Sequence, residues 1–240
     1  MTNKFKNRSN KAELMDMPIR NKVDLFKNLA ELERINKLTG GPTHTFLALQ
    51  ELLKNHTGTI HLVEVGYGAG DLLVYLLKHQ HRLNCKIKIT AIDSMPLAYE
   101  YASSTYPYLK EHITFETMDY KQWFESREQV DVVVAGLFCH HLSDEELVGF
   151  FGLVNRSVKI GMVINDLERS PVAYYGIKIP TFLFAQSSFT KNDAPLSVLR
   201  GFKRKELMLL FKKAGVSNFT IKWKWAYRFL ITLIPNDNNA

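Results

Sequence analysis

The sequence contains little cysteine. Only Cys85 and Cys139 occur in 240 residues, and their spacing fits neither a disulfide framework nor a zinc site. We therefore expect a reducing, cytoplasmic setting. No apolar run approaches the roughly 18 residues that a membrane-spanning helix needs, and the amino terminus is basic and polar without a hydrophobic signal core. These absences predict a soluble protein that is neither stably inserted in a membrane nor secreted.

Two common phosphate-binding signatures are also missing. A dinucleotide-binding G-x-G-x-x-G loop would need its third glycine at position 71, which is Asp71. A phosphate-cradling P-loop would need to end in Gly-Lys-Ser or Gly-Lys-Thr, and the glycine-rich stretch does not. The pattern present instead is E-x-G-x-G-x-G, from Glu64 to Gly70.

This glycine stretch joins a predicted strand, residues 60–65, to a predicted amphipathic helix that begins near residue 71. Glycine is needed where the backbone adopts positive φ or where a ligand leaves no room for a Cβ, so the loop predicts a ligand. The motif resembles class I S-adenosylmethionine-dependent methyltransferases. The resemblance implies that the methionine end of the cofactor is held by Glu64, Gly66, Tyr67, Gly68 and Gly70.

Further polar landmarks follow the next predicted strands. The strand over residues 86–93 ends in Asp93, whose carboxylate can accept hydrogen bonds from both hydroxyls of a ribose. The strand over 113–117 leads to Asp119, which the resemblance places near the adenine. All these positions fall at the carboxyl ends of strands, where open α/β sheets bind ligands. The resemblance therefore implies further cofactor contacts at Asp93, Ser94, Met95, Asp119, Tyr120 and Leu137.

The predicted fold class is α/β, and the resemblance implies a Rossmann-like sheet of seven strands, mostly parallel, with the last strand reversed. A fourth strand is expected over residues 130–135, and later strands over 158–164, 218–225 and 227–234. The predicted organisation is a flexible tail over residues 1–20, an N-terminal helical cap over 21–56 and a methyltransferase domain over 57–240. Within the domain we expect a lid insertion at about 172–200, helical over 173–185 and otherwise irregular.

His140 and His141 are the strong proton acceptors on the loops that face the predicted cofactor site. One of them could deprotonate a phenol or an activated carbon acid. We expect His140 to point toward the substrate and His141 toward the surrounding structure. The alternative, in which both histidines only satisfy local hydrogen bonds, stays open.

The lid insertion supplies the predicted substrate contacts. Its aromatic side chains Tyr174, Tyr175 and Phe182 would form a substrate wall, and Arg169 would orient an anionic group, with internal ion pairing as the alternative role for the arginine. Metal-dependent catechol methyltransferases carry acidic ligands after the fourth strand and an Asp-Asn pair after the fifth. Here the sequence has His140 and a reversed Asn165-Asp166, so we expect no metal.

A finer resemblance covers most of the chain, from about Leu14 to Gly215. Residues 140–146, 165–171 and 193–202 resemble bacterial small-molecule methyltransferases of the ubiquinone/menaquinone-biosynthesis type, which are often associated with type III polyketide synthases. The resemblance implies O- or C-methylation of a phenolic or polyketide-like acceptor. It also implies a polyketide synthase or a carrier protein as a partner.

The net charge of +7 keeps two alternatives in view. A basic surface could serve a nucleic-acid or protein methyltransferase, but no basic groove interleaved with aromatic residues accompanies the charge, so we expect no nucleic-acid partner. Residues 136–139 also lack the Asp/Asn-Pro-Pro-aromatic motif of methyltransferases that act on base amines. The second alternative is a non-catalytic subunit that binds the cofactor.

Overall fold

The computed structural model describes residues 4–126 and 129–235. Within these ranges seven strands form one sheet. The strands are β1 (Thr59–Val65), β2 (Lys86–Asp93), β3 (Ile113–Thr117), β4 (Val130–Gly136), β5 (Val158–Leu167), β6 (Phe219–Lys224) and β7 (Arg228–Leu233). The α-helices are α1 (Lys22–Leu38), α2 (Gly41–Leu52), α3 (Asp71–His79), α4 (Pro96–Thr105), α5 (Leu109–His112), α6 (Tyr120–Glu125), α7 (Asp144–Ser157), α8 (Pro171–Phe184), α9 (Ser188–Arg200) and α10 (Arg204–Lys213). Residues 1–3 of the expected tail and residues 236–240 of the expected domain lie outside the described residues.

The strand order in the sheet is β3-β2-β1-β4-β5-β7-β6. Strands β1 to β5 pair in parallel, whereas β7 is antiparallel to both of its neighbours, β5 and β6. The prediction of a mostly parallel, seven-stranded Rossmann-like sheet with its last strand reversed is confirmed. Because β1 and β4 are neighbours, the strand order reverses between them, and open α/β sheets bind ligands at such a position.

Both faces of the sheet are buried. Along β4, Val133 packs with aromatic side chains of α6, α7 and α10, while Val132 and Val134 pack with α2, α3 and α4. Successive side chains of a strand point to opposite faces, so one strand contributes to both cores. This explains why the central strands read as nearly continuous apolar runs.

The predicted N-terminal helices are present. Asn21 caps α1 by accepting a hydrogen bond from the backbone N–H of Asp24 at 3.0 Å. Gly40 has a φ of 75°, which turns the chain directly into α2, and Pro42 lies in the first turn of that helix. Proline is tolerated there because it removes an N–H that would have no helical partner.

Residues 4–20 depart from the predicted flexible tail, because they pack along the domain. Arg8 donates hydrogen bonds to the carboxylate of Asp144 at 2.6 Å and to the carbonyl oxygen of Leu142 at 2.9 Å. The backbone N–H of Ser9 donates to the carbonyl oxygen of Leu199. A polar, basic composition is typical of a solvated tail, yet here the arginine donates hydrogen bonds to partly buried carbonyl groups of the domain.

The lid insertion is more regular than predicted. The first helix, α8, was expected, but residues 188–200 form a second helix, α9, where an irregular stretch was expected. Proline is disfavoured in helix interiors, which favours an irregular structure for residues 188–200, yet Pro195 lies inside α9. Pro180 lies inside α8, which was predicted to be helical. Tertiary contacts stabilise α9: Ser187 caps it, and Thr190 donates a hydrogen bond to Asn28 of α1 at 2.8 Å.

Candidate functional site

A cavity of about 960 Å³ lies at the carboxyl ends of β1, β2, β3 and β4. The loops that follow these strands form its floor, and residues 13–19 together with α1, α8 and α9 form the opposite wall. Most of the predicted cofactor residues line this cavity. They are Gly66, Tyr67, Gly68, Asp93, Ser94, Met95, Asp119, Tyr120 and Leu137.

The three glycines of the loop have different reasons to be glycine. All three adopt positive φ, 71° at Gly66, 51° at Gly68 and 80° at Gly70. A Cβ at Gly66 would lie 2.5 Å from a ring carbon of Phe138, so this position has no room for a side chain. At Gly68 no described protein atom lies within 4 Å of the position that a Cβ would occupy, so the loop leaves open space toward the cavity. Gly70 does not line the cavity. It occupies the N-cap position, directly before the first residue of α3.

Asp93 is fixed in place by the backbone. Its two carboxylate oxygens accept hydrogen bonds from the N–H of Gly68 at 3.0 Å and from the N–H of Met95 at 2.9 Å. Burial raises the pKa of Asp93, and these two hydrogen bonds partly oppose the rise. A carboxylate with two oxygens retains lone pairs after accepting these bonds, so it can still receive ribose hydroxyls.

The other predicted contacts are held by helix caps and ring packing. Asp119 caps α6 by accepting a hydrogen bond from the N–H of Lys121 at 2.7 Å. Tyr120 packs edge-on against Phe138 and Phe150. Leu137 has a φ of 53°, a conformation that leucine rarely adopts and that is found mainly where function constrains the backbone.

Glu64 lies beside the main cavity, in a small polar side cavity of about 30 Å³. Burial, reinforced by the charges of Asp71 and Asp93, raises the pKa of Glu64 well above its usual value. Among the described residues, several buried polar atoms of this side cavity have no hydrogen-bond partner. They are Asn36 Oδ1, Glu64 Oε2, Tyr67 OH, Asn165 Oδ1 and Arg228 Nε. Buried polar atoms are rarely left without partners, so the cluster indicates a place where a polar ligand binds.

The polar residues Asn36, Asp71, Asn165 and Arg228 of this side cavity were not predicted as site residues. Asp71 accepts a hydrogen bond from the amide of Asn36 at 2.7 Å, and burial raises the pKa of Asp71 to about 6. Burial lowers the pKa of Arg228 to about 10, although the negative charges of Asp166 and Asp71 act to raise it. The guanidinium therefore remains protonated at neutral pH. Asn165 donates to the carbonyl oxygen of Gly41. Asp71 follows the glycine motif directly, a signal that could have found it, whereas Arg228 comes from a strand far along the chain.

The two histidines lie side by side in the cavity wall, with ring centroids 4.3 Å apart. His140 is buried, and its Nδ1 lies 2.8 Å from a carboxylate oxygen of Asp166. Burial alone would raise the pKa of Asp166, but the charge of His140 and its hydrogen bond hold that pKa below the usual value. Asp166 is therefore ionised and can accept the Nδ1 proton of His140. In the neutral tautomer that carries this proton, Nε2 is the nitrogen that can accept another.

His141 also lines the cavity, which differs from the expectation that it would point into the structure. Its Nδ1 lies 2.9 Å from a carboxylate oxygen of Asp16. Burial lowers the pKa of His141, but the hydrogen bond with Asp16 and the charges of Glu13 and Asp16 outweigh burial and raise it. Glu13 and Asp16 were not predicted as site residues, because both lie in the segment that was expected to be a flexible tail.

Glu13 completes this group. It is buried, its Oε1 accepts a hydrogen bond from Ser197 at 2.9 Å, and the same oxygen lies 3.7 Å from Nε2 of His140. One ligand atom from each of Glu13, His140 and His141 lies within 4.8 Å of the others, a separation that would allow these residues to hold a metal ion. Arg200 fixes the backbone of the pair by donating from Nε to the carbonyl oxygen of His140 at 3.0 Å.

None of the four predicted substrate residues lines the cavity. Arg169 is fully buried and pairs with Glu206, while its Nε donates to the carbonyl oxygen of Phe5 at 3.0 Å. Tyr174 is buried beneath Lys4, whose Nζ lies 3.6 Å from the ring centroid. Tyr175 and Phe182 are exposed. The helical period explains this result, since the residues of α8 that line the cavity are Val172, Ala173, Gly176 and Ile177.

Comparisons with known proteins agree with this geometry. Residues 62–161, less than half of the chain, match a family model described as a methyltransferase domain. This stretch contains the glycine loop, Asp93, Asp119 and the histidine pair. No curated protein matches the sequence significantly.

Several solved structures share the fold. Human N-acetylserotonin methyltransferase, solved with S-adenosylmethionine, is 17% identical with a TM-score of 0.64, over 90% of this chain and 57% of that one. An O-methyltransferase family protein from Burkholderia thailandensis is 13% identical with a TM-score of 0.62, over 88% of this chain and 59% of that one. An S-adenosylmethionine-dependent methyltransferase from Aquifex aeolicus is 19% identical with a TM-score of 0.60, over 88% of this chain and 98% of that one.

The chain thus spans less than two thirds of the human and Burkholderia proteins, and at these identities the likeness establishes the fold alone. The matched family depends on S-adenosylmethionine, the cofactor that the glycine motif predicts. Residues 62–161 thus match a methyltransferase domain, and the chain shares the fold of solved S-adenosylmethionine-dependent methyltransferases.

Proposed function

We propose that the protein transfers the methyl group of S-adenosylmethionine to a small molecule. The observation that carries this proposal is the continuity of one cavity, which contains the glycine loop and Asp93 at one end and His140 at the other. Its volume of about 960 Å³ is at the upper end of the range of roughly 300–1,000 Å³ for small-molecule pockets. This one cavity can therefore hold both the cofactor and the acceptor.

The cofactor would lie along the carboxyl ends of β1 and β2. Asp93 would receive the ribose hydroxyls, and Asp119 and Tyr120 would lie near the adenine. The open space at Gly68 would accommodate the backbone of the ligand. When bound, S-adenosylmethionine supplies an electrophilic methyl group on a positively charged sulfur.

The methionine end of this cofactor would lie against the polar groups that the side cavity shares with the main cavity, which include Asp71 and Arg228. That end is a zwitterion, with an ammonium group and a carboxylate. Glu64 and Asp71 would accept hydrogen bonds from the ammonium group, and Arg228 would donate to the carboxylate. The unpartnered Glu64 Oε2 would thereby gain a hydrogen-bond donor, and the unpartnered Arg228 Nε would gain an acceptor.

The histidine pair would act on the acceptor. His140 Nε2 can remove a proton from an acceptor hydroxyl or an acidic carbon, because Asp166 holds the ring through Nδ1 and stabilises the imidazolium that forms. The deprotonated acceptor atom would take up the methyl group that S-adenosylmethionine supplies, a displacement that requires the acceptor to be held in a fixed orientation. His140 would keep the proton of the acceptor, and Asp166 would stabilise the charge on its ring.

The cavity wall supports a small, largely apolar acceptor. Met15, Met17, Ile19, Leu142 and Ile177 line the wall beside the histidines. Residues 13–19 and the lid helices cover this end of the cavity, which would obstruct a large macromolecular substrate. We propose a phenolic or polyketide-like acceptor, methylated at oxygen or carbon, as the finer resemblance implies, and a polyketide synthase or carrier protein as its source.

Replacing Gly68 tests the cofactor loop. We expect Gly68→Val to lower the affinity for S-adenosylhomocysteine at least tenfold, because the side chain would enter the space left for the ligand. Gly58→Val is the matched control: Gly58 also has positive φ, 85°, and open surroundings, but it lies outside the cavity. Calorimetric titration of both variants is the measurement. Equal loss of affinity in both would attribute the effect to backbone strain and reject the loop assignment.

Arg228 provides a sharper test of how the cofactor is oriented. We expect Arg228→Met to weaken S-adenosylhomocysteine at least tenfold, because a charge-assisted hydrogen bond contributes roughly 1.5–3 kcal/mol. The affinity for 5′-methylthioadenosine, which has no amino acid end, should not change. Calorimetry with both ligands measures the difference. A similar loss for both ligands would show that Arg228 acts through general stability and does not contact the carboxylate.

His140 is the proposed base. We expect His140→Ala to lower turnover by roughly 100-fold or more, the usual contribution of general-base catalysis, with little change in affinity for S-adenosylhomocysteine. Asp166→Asn should lower turnover in the same direction. The assay uses labelled S-adenosylmethionine and an acceptor found by screening hydroxylated aromatic compounds, with the exposed His112→Ala as control. A fully active His140→Ala enzyme would exclude this residue as the base.

A further inference from the structure

The outer face of α8 is unusually apolar for a surface helix. Val172, Tyr175, Ile179, Phe182 and Leu183 follow one another at spacings of three, four, three and one, which places them on a single stripe. All five are exposed, Phe182 to 71% and Val172 to 61%, and Phe184 beside them is 80% exposed. Single exposed apolar residues are normal, but a contiguous patch of this kind marks an interaction surface.

This patch reaches the mouth of the proposed active-site cavity. Residues that line the cavity and are also well exposed must lie at its rim, and these include Met17, Val172 and Trp225, the last 65% exposed. The inward stripe of α8 lines the same cavity through Ala173, Gly176 and Ile177. One helix therefore separates the cavity from whatever covers its outer face.

The charged side chains within the lid segment that carries the patch are all basic. Residues 170–192 contain Lys178 and Lys191 and no aspartate or glutamate. Lys4 and Lys178 both lie over the ring of Tyr174, at 3.6 and 5.5 Å from its centroid, beside the exposed ring of Tyr175. Asp24 and Glu31, two carboxylates that reach the lid, accept hydrogen bonds from backbone N–H groups of residues 186–188.

We propose that the outer face of α8 docks on the surface of an anionic lipid bilayer. A helix that lies in the interface combines an apolar stripe, aromatic residues and flanking lysines, as α8 does. The lysines complement anionic headgroups, and Trp225 at the cavity rim suits the headgroup region. None of the described helices is long and apolar enough to cross a bilayer, so the contact is peripheral. An apolar acceptor dissolved in the bilayer would then enter the cavity beside α8.

A second copy of the chain fits this face less well. In a two-fold symmetric pair, each surface meets the same surface of its partner, so the patch flanked by Lys4 and Lys178 would face a second patch that carries the same two lysines. Like charges brought together oppose association, whereas anionic headgroups neutralise both lysines.

Vesicle flotation with the full-length chain tests the proposal, without cofactor or acceptor, so that its result is independent of the proposed methyl transfer. We expect binding to vesicles of phosphatidylcholine mixed with phosphatidylglycerol, and weaker binding to pure phosphatidylcholine or at high salt. The double variant Phe182→Ser/Phe184→Ser should bind the mixed vesicles at least tenfold more weakly, because it lacks two aromatic side chains that the bilayer would bury. Lys178→Glu should weaken binding to mixed vesicles and leave the weak binding to neutral vesicles unchanged.

Leu209→Ser is the matched control, since Leu209 is an exposed apolar residue on α10, outside the patch. It should bind vesicles like the wild type. Thermal melting of every variant checks that the fold is retained. The proposal is overturned if the wild type does not bind mixed vesicles, or if the double variant binds as well as the wild type. It is equally overturned if light scattering shows a dimer that the double variant dissociates while vesicle binding is absent.

Discussion

The helices that follow β1 and β4 leave the sheet on opposite faces, and this divergence shapes the rest of the molecule. Helix α3 packs with the core on one face, and α7 packs with the core on the other. Because β1 and β4 are neighbours, a crevice opens between their carboxyl ends. The glycine loop lies on one side of that crevice and the histidine pair on the other, so the topology itself brings a cofactor loop and a proton acceptor into one cavity.

Burial of charge is the second constraint on this site. Glu64, Asp71 and Asp166 are buried near the carboxyl ends of β1 and β5, and Arg228 is buried close to Asp71 and Asp166. Isolated buried charges are costly, so each needs a partner in the protein or in a ligand. Asp166 has His140, and Asp71 has Asn36, whereas Glu64 and Arg228 retain unpartnered atoms among the described residues. A zwitterionic ligand would supply what these two groups lack.

The sequence predicts the parts of this arrangement that local pattern encodes. The glycine loop, Asp93 and Asp119 follow strands in regular order, and the sheet was predicted with its reversed strand through the resemblance. Residues that reach the site from distant segments could not be predicted: Glu13 and Asp16 lie in a polar stretch that reads as a tail, and Arg228 begins a strand. The aromatic lid misled the prediction for a different reason, because the residue type indicates burial but only the helical phase decides which side chains face inward.

The central claim is that one enclosed cavity binds S-adenosylmethionine and a small acceptor together. The most direct measurement is a calorimetric titration with S-adenosylhomocysteine, followed in the same sample by a turnover screen of hydroxylated aromatic compounds with labelled S-adenosylmethionine. The account predicts saturable binding at one site and transfer of label to at least one small acceptor. Absence of binding would contradict the assignment of the glycine loop, and binding with transfer only to protein or nucleic acid would contradict the small-molecule acceptor.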